Sequence, residues 1–180
     1  MLRGFAVIGA ISVLTIGFQN CADSNSVQAI GQASATPIPG PVIQVYATGN
    51  TSVSTAVWTK VPMAGVEFDT DSAMDAANIR ISPKKAGLYR VQMTAIFSMT
   101  GTGGFTIYIA IYKNGTLYKQ ISNLINYPSS FGQTLQADAL VPMNGVSDYI
   151  ECYVYTNSST AIILSGAANT WMSAEFVRAQ

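Results

Sequence analysis

Ile81-Ser82-Pro83-Lys84-Lys85-Ala86-Gly87-Leu88-Tyr89-Arg90-Val91-Gln92-Met93-Thr94-Ala95-Ile96-Phe97-Ser98-Met99 is the stretch that decides the fold. It opens as a turn: Pro83 fixes its own φ and Gly87 tolerates φ > 0. A period of two follows. Tyr89, Val91, Met93, Ala95 and Phe97 fall on one face, and Leu88, Arg90, Gln92 and Thr94 on the other. This predicts the central strand of an all-β sandwich, with the apolar set pointing into the core.

The flanking sequence repeats the pattern in shorter pieces. Upstream, strands are expected over Val42–Ala47, Trp58–Val61 (stopped by Pro62) and Val66–Phe68, with Gly49–Thr55 a polar loop. Downstream, Ser98–Gly104 reads as a flexible connection. Phe105–Lys113 is the cleanest strand, with Ile107, Ile109 and Ile111 opposite Tyr108, Ala110 and Tyr112. Asn114-Gly115 signals a hairpin into Thr116–Ile121. Ser122–Ser130 reads as a polar loop and Phe131–Val141 as a strand ended by Pro142. Tyr149–Tyr155 sets Ile150, Cys152 and Val154 against Tyr149, Glu151, Tyr153 and Tyr155. After a turn at Asn157–Thr160 come Ala161–Leu164 and a last strand over Asn169–Arg178. About ten short strands with polar turns and no helical period mean a two-sheet sandwich or jelly roll.

The chain is 49% hydrophobic but only 10% charged, with a formal net charge of +0. Its surface is therefore left largely to Ser, Thr, Asn, Gln and Tyr, as in secreted β-proteins and oligomer interfaces. Only Lys84 and Lys85 are adjacent cations, so no basic patch points to nucleic acid. The chain has 0 histidines, which removes the commonest general base and metal ligand. No G-x-S-x-G and no phosphate-cradling glycine loop is present; Gly101, Gly103 and Gly104 lack the helix and lysine such a loop needs. The expectation is a protein that is not an enzyme and uses no cofactor. Asp69, Asp71 and Asp75 have a spacing that could offer oxygen ligands to calcium. They lack the glycine and terminal glutamate of a calcium-binding loop, and Asx turns account for them as well.

Residues 1–20 read as an export signal: Arg3 supplies the positive start, and Gly4 to Gly17 is an apolar run of about 15 residues, short for a spanning helix. Two cleavage sites compete. One precedes Cys21 and would leave a cysteine for lipid attachment and membrane anchoring, although Gln19 and Asn20 are bulkier than a bacterial lipobox prefers. The other follows Ala29 and would leave a secreted or periplasmic chain. Residues 21–41, ending in Pro37-Ile38-Pro39-Gly40-Pro41, form a tether with a semi-stiff proline end. Residues 42–180, about 140 in all, make one domain. Cys152 falls on a core-facing strand position and reads as a small hydrophobe.

The pattern Ile81-x-Pro83-x-x-Ala86-Gly87-x-Tyr89-x-Val91 resembles the signature of the complement-q-type globular head, a jelly roll of the tumour-necrosis-factor-like class. Val66-Glu67-Phe68-Asp69, Lys113-Asn114-Gly115, Asn144–Val154, and Ser165-Gly166 followed by Trp171–Phe176 stand where that family has its other marks. The versions most similar are those at the tips of phage tail fibres and bacterial trimeric adhesins. Phe18-Gln19-Asn20-Cys21 resembles a lipoprotein form of predatory bacteria. The resemblance implies a homotrimer used for binding, exposed at the outer membrane or cell surface. It places Tyr46, Trp58, Phe131, Leu135 and Trp171 on the inner sheet as candidate trimer contacts. It also pairs Phe105–Lys113 with Tyr149–Tyr155 in the outer sheet. Tyr108, Tyr112, Tyr149, Tyr153 and Tyr155 then share one solvent face, a candidate contact surface for a cell-surface glycan or protein, flanked by Ser98–Gly104 and Asn157–Thr160. Two plainer readings compete: cross-strand tyrosines that only stabilise the sheet, and a structural cap with no ligand. Loops at the trimer apex are the other place for a site.

Overall fold

The structure is a computed structural model and describes residues 40–100, 103–127 and 131–180. These belong to one compact unit, Ile38–Gln180. The signal segment, most of the tether and Cys21 lie outside the described residues.

The described chain is all strand and turn. In order the strands are β1 (Val42–Tyr46), β2 (Thr51–Ser52), β3 (Thr59–Lys60), β4 (Gly65–Asp69), β5 (Met74–Asp75) and β6 (Arg80–Ile81). Then come β7 (Gly87–Met99), β8 (Gly103–Lys113), β9 (Thr116–Tyr127), β10 (Phe131–Met143), β11 (Ile150–Thr156), β12 (Ile162–Ile163) and β13 (Trp171–Arg178). Three two-residue pieces outside the expected strands, β2, β5 and β6, raise the number above the ten expected.

Two antiparallel sheets form. The first runs β2-β12-β7-β13-β1-β4, with β10 on the other flank of β7. The second runs β5-β6-β11-β8-β9, with β3 also on β11. The chain crosses between sheets at β2–β3, β3–β4, β4–β5, β6–β7, β7–β8, β9–β10, β10–β11 and β11–β12, which is why neighbours in space are distant in sequence. β7 is the centre: it pairs with β10 from Gly87↔Met143 to Met99↔Phe131, and with β13 and β12 on its other side.

The alternation of β7 sets the core. Tyr89, Val91, Met93, Ala95 and Phe97 are all at most 1% exposed, and they meet Ile107, Ile109, Ile111, Ile150, Cys152 and Val154 from the second sheet. Burial of five such large side chains is the main stabilising term. Burial also pushes the Cys152 thiol pKa up, so it is inert as a nucleophile. Gly87 is required by close approach: a Cβ there would stand 2.4 Å from the Phe176 ring. Asn114 (φ 52°) and Gly115 (φ 75°) both take positive φ, the backbone of a two-residue hairpin turn.

Several expectations change. Ser122–Tyr127 is not loop: β9 continues to Tyr127, pairing with β8 back to Gly103. The polar residues there occupy a sheet edge, where composition does not betray a strand. Pro142 does not end β10. It pairs with Leu88 near the strand's end, on a sheet edge where its missing N–H costs nothing. The outward carbonyls of that edge are taken up by side chains of the other sheet: Tyr118 Oη donates to Leu140 O (2.9 Å) and Lys113 Nζ to Pro142 O. Pro41 belongs to the body rather than the tether, since its carbonyl accepts from Phe176 N at 2.9 Å.

Candidate functional site

Three of the expected inner-sheet contacts stand elsewhere. Leu135 is 7% exposed and points into the core with Ala137 and Val141. Phe131 packs against the core and lies 6.0 Å from the Phe105 ring. Trp58 precedes β3, which joins the second sheet through Tyr153↔Lys60 and Val154↔Thr59. Tyr46 and Trp171 do lie side by side on the outer side of the first sheet, in the row Gln136, Thr94, Trp171, Tyr46, Gly65. The Tyr46 ring lies flat over Gly65, where a Cβ would come within 2.4 Å of it. Phe68 (41% exposed) and Leu140 (50%) flank that row on the same side.

The tyrosine face is built by the pairing of β8 with β11. Tyr108↔Tyr155 and Tyr112↔Glu151 are in register, and Tyr153 is opposite Ala110. Tyr112 and Tyr153 stack at 4.0 Å with 26° between their planes. Tyr108 and Tyr155 meet edge-on at 5.4 Å and 82°. Trp58 is the residue the sequence reading placed on the wrong sheet. Its ring lies 5.9 Å from Tyr108, 5.8 Å from Tyr112 and 5.5 Å from Tyr155. Ala110, between Tyr108 and Tyr112 on that outward side and opposite Tyr153, is 0% exposed. A methyl side chain is what leaves room there.

Tyr149 does not join this group. It precedes β11, and its backbone is tied to Asn114 at the β8–β9 turn: its N–H donates to Asn114 Oδ1 (2.9 Å) and its carbonyl accepts from Asn114 N (3.0 Å). Its ring lies under the Arg80 guanidinium at 4.0 Å.

The electrostatics of the face are quiet. Lys60 pairs with Glu151 beside Tyr153, and Arg80 with Asp75 at 2.8 Å. Burial raises the phenol pKa of Tyr112, and burial with the Glu151 charge raises that of Tyr153, so these phenols stay neutral. The Trp58, Tyr108 and Tyr155 rings and the side chain of Gln120 enclose a shallow depression of about 180 Å³.

The Asn157–Thr160 loop is held by hydroxyls. Ser158 Oγ and Thr160 Oγ1 are 3.2 Å apart, and Thr160 Oγ1 bonds Thr100 O, tying Asn157–Thr160 to the end of β7.

Two of the three candidate aspartates, Asp69 and Asp75, are engaged locally. Asp69 accepts from the backbone N–H of Asp71, Ala73 and Met74, and Asp75 from Asn78 and Arg80. The Asn78 amide and the Arg80 charge hold the Asp75 carboxyl below its ordinary range. Among the described residues no group of three acidic, cysteine or histidine side chains could hold a metal.

No protein-family model matches the sequence, and neither does any curated protein. Solved structures do. An Eiger tumour-necrosis factor from S. frugiperda superposes with a TM-score of 0.62 at 11% identity, covering 79% of this chain and 95% of that one. The fold is a jelly roll of the tumour-necrosis-factor and complement-q kind. The globular domain of zebrafish complement 1qA matches it with a TM-score of 0.53 at 9% identity, over 78% of this chain and 99% of its own. Murine APRIL matches at 0.53 and 11%, over 77% and 99%. The jelly roll puts the aromatic face and the Tyr46–Trp171 face on opposite outsides of the sandwich.

Proposed function

We propose that this chain is an exported, trimeric binding domain that recognises a cell-surface ligand, glycan or protein, with no catalysis of its own. The observation that carries the reading is the half-exposed cluster of Trp58, Tyr108, Tyr112, Tyr153 and Tyr155 on the outer side of the second sheet. Aromatic side chains offer large rigid contact area with a polar tip, at low entropic cost.

Self-association is supported by two unlike surfaces, each carrying large exposed side chains among polar ones. One is the Phe68, Tyr46, Trp171 and Leu140 side of the first sheet. The other is the β9 edge, with Tyr118 (42% exposed) and Ile121 (37%). A contact between unlike surfaces is head-to-tail, and it gives a ring where the rotation between copies closes and an open filament where it does not. The likeness to the tumour-necrosis-factor and complement-q folds favours a ring of three. The sequence of residues 1–21 favours export with anchoring through Cys21, at an outer membrane or cell surface.

The test is a double substitution, Tyr108→Ser with Tyr155→Ser, in the full chain with its oligomeric state and circular dichroism checked. Binding of the labelled protein to a panel of intact cells should fall to background. Unchanged binding would make the cluster structural and send the search to the Ser98–Gly104 and Asn157–Thr160 loops.

A further inference from the structure

We propose that the depression between Trp58, Tyr108, Tyr155 and Gln120 seats the ring of one neutral hexopyranose of a surface glycan. This deepens, and rests on, the reading of the aromatic face as a ligand surface. Size comes first. At about 180 Å³ the depression is well below the roughly 300 Å³ at which sites for drug-sized ligands begin. It has the scale of one sugar ring.

Ring presentation comes second. Tyr112 and Tyr153 are stacked on each other, which covers one face of each. Trp58, Tyr108 and Tyr155 instead meet one another tilted or edge-on. An edge-on pair covers one face of one ring only and leaves both faces of the other ring uncovered, and a pyranose presents a flat row of C–H bonds to such a face.

Polar tips come third. The indole N–H of Trp58, the hydroxyls of Tyr108 and Tyr155 and the amide of Gln120 have no side-chain hydrogen bond among the described residues. Together they offer both donors and acceptors, as the hydroxyls of a sugar require.

Charge comes last, and it separates sugar classes. The depression is lined by no charged side chain. The nearby ions are already partnered, Lys60 with Glu151 and Arg80 with Asp75. A carboxylate sugar would have no cation to compensate its desolvation, so uronic and sialic acids are disfavoured. A peptide could use the same rings, but an apolar side chain would leave the four polar tips without partners.

The experiment is saturation-transfer NMR on the full chain with methyl β-glucopyranoside, methyl β-galactopyranoside, glucuronic acid and N-acetylneuraminic acid. Irradiating the protein's aromatic protons should transfer to ring C–H protons of at least one neutral glycoside and to neither acid. Gln120→Ala alters an exposed strand residue and should fold normally; it should weaken the neutral probe roughly tenfold, the scale of one good hydrogen bond. Three results overturn the proposal: no transfer to either neutral glycoside, equal transfer to the acids, or a signal that Gln120→Ala and Tyr155→Ser leave unchanged. If the same preparation still binds cells, only the sugar subsite is lost and the ligand surface stands. If cell binding is absent too, both readings fall.

Discussion

Replacing Trp58 by alanine separates a built aromatic cluster from a chance one. The indole packs on three tyrosine rings, with centroids 5.5 to 5.9 Å apart. Each aromatic pair is worth about 0.5–1.5 kcal/mol beyond area burial. The pairs share one ring, so they do not add fully. Trp58 is half-buried, so its loss should fall short of the roughly 3–5 kcal/mol typical of a core aromatic. Trp58→Ala should therefore destabilise the fold by about 2–4 kcal/mol.

Urea unfolding followed by far-UV circular dichroism reads this directly. With a slope of about 2 kcal/mol per molar urea, the middle of the usual range, the midpoint should fall by roughly 1–2 M. Wild type and variant must be compared at one protein concentration, since self-association would make the midpoint concentration-dependent. A change under about 0.5 kcal/mol, the range of an ordinary surface substitution, would refute the packing on which both the site and its depression rest.

Other outcomes follow from other parts of the molecule. The wild-type chain should sediment as a trimer at micromolar concentration and Trp171→Glu as a monomer; a stable wild-type monomer rejects the ring. Tyr89 is buried, and burial first, then the Asp71 charge, lifts its pKa from 10.0 to about 12. Its contribution is complete below pH 10 and lost as pH rises through about 12, so Tyr89→Phe should flatten alkaline unfolding in that window. Cys21→Ala should release the protein from the membrane fraction of expressing cells; a variant that still pellets with membranes, or a mature N-terminus mapped at Ile30, rejects the lipid anchor.

The parts of the fold legible in the sequence are those with a local cause. The β7 alternation needs only its own residues, and so does the isoleucine face of β8. The Asn114-Gly115 turn is written in two residues, because both must take positive φ. What was not legible is pairing. β2, β5 and β6 are two residues long, too short to carry a period, and are placed only by their partners, β2 on β12, β5 on β6 and β6 on β11. Leu135 and Phe131 were assigned to the right sheet but the wrong side of it. Placement on an element does not fix which side of the sheet a residue faces without the register of that element.

The same limit explains the candidate site. Four of its tyrosines were legible because β8 and β11 each alternate cleanly, and only their mutual pairing had to be supplied. Trp58 was not, because β3 offers only Thr59 and Lys60 to place it. Its sheet is decided by Val154 and Tyr153, which lie far along the chain. Gln120 hid behind a bulge. Counting back from the Asn114-Gly115 turn, Lys113 opposes Thr116 and Tyr112 opposes Leu117. An unbroken ladder would then set Lys119 opposite Ala110 and send Gln120 to the core side with Ile109. The structure shifts register between Ile111 and Tyr112, which brings Gln120 opposite Ala110 and onto the aromatic side. One extra residue in one strand reverses the facing of everything beyond it. That shift turns a rim that would have carried an ammonium into one carrying a neutral amide, and the preference for an uncharged sugar depends on it.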